Sequence, residues 1–181
     1  MQRLSVLFIL SALLMSGCMY SSNDELSVNS TLSSEEMRIM EEHNMYDKLI
    51  MRFMDANPDT LNQKQLTVAA LITFEAEMMN GGLCQFFVND YCGYAQYVGD
   101  ALGEVGAHKM QAHYTSFLTQ NGIDVTQMDS FRVGSIQDYL KQIERLPYEA
   151  FDNTFSEICE NENLYDLLLS YVRLYEDEVL D

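Results

Sequence analysis

Four polar residues that could do chemistry crowd one apolar stretch. Glu77, Asn80, Gln85 and Asn89 all fall within Glu-Met-Met-Asn-Gly-Gly-Leu-Cys-Gln-Phe-Phe-Val-Asn, residues 77–89. A carboxylate accepts hydrogen bonds, and an amide both donates and accepts. The four could therefore line a pocket and hold a polar ligand. They could equally bond one another and the backbone groups left orphaned at a helix break. A lone carboxylate among amides, with no partner base, is a thin basis for catalysis.

The remaining reactive groups are sparse. Beyond Cys18 the thiols are Cys84, Cys92 and Cys159, an odd number that allows at most one intrachain disulfide. Cys84 and Cys92 are the candidate pair in an oxidising compartment; burial of all three as small hydrophobes is the other reading. His108 and His113 are five apart, so they do not share a helix face and make a poor metal pair. Neither fits a local signature of cysteine catalysis. The chain carries no H-E-x-x-H, CxxC, Walker loop or G-x-S-x-G. No metal and no cofactor is expected.

The polar quartet must be positioned by helices. Leu66 to Met79 is apolar almost all round, as the central helix of a bundle is. Asn80-Gly81-Gly82 should end it in a left-handed cap, and a short helix should restart near Leu83 with Phe86 and Phe87 on the core. Before it, Ser33 or Ser34 can cap a helix with Glu35 and Glu36 in its first turn and Ile39, Tyr46, Leu49, Ile50 and Phe53 on its apolar face. Asn57-Pro58-Asp59 stops that helix. After it, Val98, Ala101, Leu102 and Val105 recur at helical spacing, as do Met110, Tyr114, Phe117 and Leu118, with Gly106 and Gly122 at their ends. Residues 123–134 read as a loop. Ile136, Tyr139, Leu140 and Ile143 mark a helix that Pro147 terminates; Phe151, Phe155 and Ile158 mark another. Leu164, Leu167, Leu168, Tyr171, Val172, Tyr175 and Val179 mark a last one running almost to the end. The fold class is all-α, a single compact bundle of about seven helices. Tyr91, Tyr94 and Tyr97 are expected at the core or its boundary, with an exposed sticky patch as the alternative.

The motif also carries a resemblance. E-x-x-N-G-G-L-x-Q-F-F-x-N, followed by a glycine and then by A-L-x-x-x-G-A, runs through Glu77, Asn80, Gly81, Gly82, Gln85, Phe86, Phe87, Asn89, Gly93, Ala101, Leu102, Gly106 and Ala107. It resembles a bacterial all-α family, the DNA-mimic protein C-terminal-domain-like family, largely of unknown function. The family's namesake is an acidic helical protein that occupies DNA-binding proteins. The resemblance covers about residues 60–175 and implies the all-α fold and an acidic binding role. Asp90-Tyr91-Cys92-Gly93 departs from the Ser-rich turn expected there, so the resemblance assigns that loop no role. Fold membership does not fix activity.

At the start of the chain, residues 1–17 read as a lipoprotein signal peptide: Arg3 is the positive end, and Leu4 to Leu14 is an apolar run too short to span a bilayer. Leu14-Met15-Ser16-Gly17-Cys18 resembles a lipobox, which makes Cys18 the acylated residue; a transmembrane anchor is the alternative. Two or more acyl chains anchor stably. Met19 at the next position, in place of Asp, favours the outer over the inner membrane. Residues 18–33 then form a lipidated, Ser/Asn-rich tether of roughly 20–25 Å reach, and residues 34–181 an acidic helical domain.

Charge narrows the partners. The formal net charge is −18. Removing residues 1–17 takes away Arg3 and no acid, leaving 9 basic against 28 acidic residues, or −19. Residues 149–181 hold ten acids against Arg173, or −9. Such a surface repels nucleic acid, so direct nucleic-acid binding is excluded. Glu149 with Asp152, Glu157 with Glu160, and Glu162 with Asp166 are helical neighbours about 5–6 Å apart. They form either a solvated face or a docking face for a basic protein partner, since cations would complement it. The expected function is a membrane-anchored acidic binding protein of the bacterial envelope. A hydrolase or small-ligand protein using Glu77, Asn80, Gln85 and Asn89 is the alternative.

Overall fold

Asn62 starts the helix on which the others pack. Its side chain accepts from Gln65 N–H at 2.9 Å while Gln65 Oε1 accepts from Asn62 N–H at 3.1 Å, a reciprocal cap that satisfies two orphan donors. In the computed structural model, which describes residues 34–54, 56–90 and 93–180, eight α-helices follow one another. They are α1 (Ser34–Phe53), α2 (Gln63–Asn89), α3 (Ala95–Glu104), α4 (His108–Asn121), α5 (Ile136–Arg145), α6 (Tyr148–Cys159), α7 (Leu164–Leu174) and α8 (Glu176–Leu180). No strand occurs among the described residues, and the fold is the all-α bundle expected. The signal peptide, Cys18, the tether, Tyr91 and Cys92 lie outside the described residues.

α2 is central because it has no polar face over most of its length. Thr67 to Ile72 and Phe74 are buried, as are Leu83, Cys84 and Phe86 to Val88 beyond the break. It touches α1, α3, α5, α6, α7 and α8. Phe74 sits edge-on to three rings, with centroids 5.1 Å from Phe86, 5.6 Å from Tyr114 and 5.6 Å from Phe155, the geometry that aligns ring edges with ring faces. On α1, Leu49 and Phe53 are buried while Ile39 is exposed, so the expected apolar face holds only for the C-terminal half.

Three expectations need correction. The loop 123–134 contains a 3-10 turn, Met128–Phe131, and buries Met128 and Phe131; Phe131 packs on Phe87 with centroids 5.1 Å apart. The last helix is two, because Tyr175 leaves helical geometry (φ −121, ψ 35) between α7 and α8. At the break in α2, Gly81 is extended (φ −164) and Gly82 is the positive-φ residue (φ 71). With ψ −167, Gly82 has the positive φ but not the left-handed helical cap expected of Asn80-Gly81-Gly82.

Candidate functional site

The break in α2 brings three of the four motif residues together. Gln85 Nε2 donates to Glu77 Oε2 at 2.7 Å, and Asn89 Nδ2 donates to the same oxygen at 2.9 Å. Residues 77, 85 and 89 meet because the helix restarts at Leu83 with a new axis. Asn80 is exposed and takes no part. Asn89 Oδ1 is buried without a hydrogen-bond partner, an acceptor whose isolation has a cost unless a donor reaches it.

Both glycines of the motif make room for side chains. A Cβ on Gly81 would lie 2.2 Å from Gln85 Oε1, so the missing methyl lets the amide fold back to Glu77. A Cβ on Gly82 would lie 2.1 Å from Asp152 Oδ2. That carboxylate comes from α6 and accepts from Leu83 N–H at 3.0 Å, capping the restarted helix from outside. Burial pushes the Asp152 carboxyl above its ordinary range; the Leu83 N–H and His113 pull the other way. His113 stacks on Phe151 with centroids 4.2 Å apart, and its Nε2 lies 3.0 Å from Phe151 O.

The cysteine chemistry is muted here. Cys84 is buried and free, and burial together with Asp152 pushes its thiol up to about 11. It stays protonated at neutral pH and is a poor nucleophile. Its proposed disulfide mate, Cys92, lies outside the described residues. Cys159 is also free, and exposed, which departs from burial of all the thiols. His108 is exposed at the start of α4. No metal-binding group of three His, Cys, Asp or Glu occurs among the described residues.

The acidic residues divide in two. Glu149, Glu157, Glu160 and Asp166 are exposed and join no ion pair among the described residues. Asp152 and Glu162 turn inward, which corrects the expectation that all six are solvated. Glu162 accepts from Lys109 N–H at 2.9 Å and Met110 N–H at 3.0 Å, filling the first turn of α4, whose own preceding residue, Ala107, supplies no side-chain cap. Among the tyrosines, Tyr94 is buried with its hydroxyl donating to Ala56 O at 2.7 Å, and Tyr97 is half-buried, as the core reading expects.

Two carboxylates that hold the bundle went unread in the sequence. Glu104 accepts from Lys64, Thr67 and Tyr171, each at 2.7 Å, tying α2, α3 and α7. Asp90 accepts from Tyr94 N–H and Ala95 N–H, at 2.5 and 3.1 Å, starting α3. An acid five residues before a helix was the available signal for Asp90; nothing local marks Glu104. Away from Glu77, Gln85 and Asn89, an open recess of about 500 Å3 is lined by Asp90, Gly93, Gln96, Thr126, Asp129 and Arg132 among others.

Fold and site together define an acidic all-helical protein whose motif residues bond one another around a broken central helix. Residues 59–175 match the DMP19-like protein family, and the chain belongs to that family. Neither the curated proteins nor the solved structures gave a match. Helix α1 and helix α8 lie outside the matched span.

Proposed function

We propose that the protein is an envelope-anchored acidic binding protein that docks a basic protein partner through the surface of α6 and α7. The observation that carries this reading is the set of exposed carboxylates Glu149, Glu157, Glu160 and Asp166, none held by a cation among the described residues. Membership of a family named for a DNA mimic supports it. Mutual bonding of Glu77, Gln85 and Asn89 weighs against the hydrolase alternative, since a carboxylate committed to two amides is not aimed at open space. The lipobox-like Leu14 to Cys18 supports a partner outside the cytoplasm, among basic proteins of the envelope.

The test is a cross-linking pull-down from intact envelopes with the wild type and with Glu149→Lys/Glu157→Lys/Glu160→Lys. The partner should be recovered by the wild type and lost by the triple variant, which should melt like the wild type. Association should slow as salt rises from 50 to 300 mM, since the Debye length then falls from roughly 14 to 6 Å. An unchanged association rate in the triple variant would refute the docking face. Anchoring is read separately: radiolabelled fatty acid should enter the wild type and not Cys18→Ser, and equal labelling would sink the anchor.

A further inference from the structure

Helix α5 presents an apolar stripe that nothing among the described residues covers. Ile136, Leu140 and Ile143 are 59%, 55% and 42% exposed, and α5 contains no buried residue. They recur at i, i+4 and i+7, one face of a helix. Tyr139, Gln142 and Leu146 are half-buried beside it and turn toward the body, so the stripe lies along the free flank. In most helices of this chain the large apolar residues are covered; here every one but Tyr139 is not.

We propose that this stripe is the contact between two copies of the chain, packed antiparallel about a two-fold axis at Leu140. The spacing is self-complementary, as an isologous contact requires. In antiparallel pairing about Leu140, Leu140 meets its own equivalent and each Ile136 comes within one residue of the second copy's Ile143. Beside the stripe, exposed Gln137 comes within one residue of the second copy's Glu144, so each carboxylate has an amide donor nearer than another carboxylate.

Charge selects the same face. Two chains of net charge −18 repel, and least where acids are locally neutralised. Residues 129–145 hold Asp129, Asp138 and Glu144 against Arg132, Lys141 and Arg145, three of each sign. Arg132 pairs with Asp129 and Lys141 with Asp138, both at 3.1 Å. A basic partner has no reason to choose this neutral face over residues 149–181. Area sets the strength. A ten-residue helix is about 15 Å long and 10–12 Å wide, so its flank offers well under the roughly 800 Å2 per partner of a standard stable interface. The dimer is therefore of the weak, reversible kind.

The experiment uses the full chain with Cys159→Ser, which removes an exposed thiol, and adds Leu140→Cys at the two-fold. Oxidation in intact cells should give a disulfide-linked dimer, and Ser170→Cys on the exposed side of α7 should not. In sedimentation velocity the average mass should climb toward twice the monomer as concentration approaches about 1 mM. Leu140→Glu should hold it at the monomer with helicity and melting unchanged. Monomeric mass throughout the series, equal cross-linking at both positions, cross-linking of Leu140→Cys to a different protein, or a dimer indifferent to Leu140→Glu would each overturn the proposal.

Discussion

A double-mutant cycle at Gly82 and Asp152 probes the joint in α2 directly. Gly82→Ala introduces two separate costs. A φ of 71° with ψ −167 lies in a region essentially confined to glycine, and holding a residue with a Cβ there costs about 1–2 kcal/mol. The new Cβ would also lie 2.1 Å from Asp152 Oδ2, so the carboxylate must move and release Leu83 N–H, leaving a part-buried donor unpaired at about 1–3 kcal/mol. The single variant should therefore lose about 2–5 kcal/mol. Asp152→Ala alone should lose about 1–3 kcal/mol through the same orphaned donor. In the Asp152→Ala background the clash has gone and the bond is already lost, so Gly82→Ala should cost only the backbone strain, about 1–2 kcal/mol. The coupling is then about 2 kcal/mol. Urea denaturation followed by far-ultraviolet circular dichroism measures all four corners; at about 4 °C per kcal/mol for a domain of this size, melting curves give an independent check. Additivity within about 0.5 kcal/mol would refute the account, because residues that do not touch behave that way.

Three further outcomes follow from the same contacts. Burial raises the Asp152 carboxyl, so its stabilising contribution is fully present below the unfolded-chain value and is lost as pH rises through the folded value. Asp152→Asn keeps an acceptor for Leu83 without that loss, and chemical denaturation from pH 4 to 8 should show it gaining on the wild type as pH rises; a constant difference would contradict the burial. Glu162→Ala strips the borrowed cap from α4 and should cost about 0.5–2 kcal/mol, with faster amide exchange at Lys109 and Met110 as the local sign. Asn80→Ala should stay within about 0.5 kcal/mol of the wild type because the side chain is exposed, whereas Gly81→Val, at an extended φ, should destabilise by displacing Gln85 from Glu77; a large loss for Asn80→Ala would reverse this ordering.

Local pattern decided a good deal. Periodic apolar residues placed the helices as far as Tyr175, because a 3.6-residue repeat is a property of the segment alone. Asn57-Pro58, Gly122 and Pro147 marked ends that the structure keeps, since caps and breakers act within a turn of themselves. Even the break in α2 and the meeting of Gln85 and Asn89 on one side were visible in residues 77–89. Tertiary packing decided what spacing cannot carry. Gly82, not Gly81, takes the positive φ, and it does so against the α6 carboxylate of Asp152, which reaches Leu83 across 69 positions of sequence. Glu162 serves α4 across 53 positions. Acids three or four apart are known to be neighbours on a helix, but which of them faces the body depends on how that helix is rotated against its neighbours. That rotation is set by the fit of Phe74, Phe86, Phe151 and Phe155 in the shared core, so the division between capping and exposed carboxylates belongs to the folded molecule.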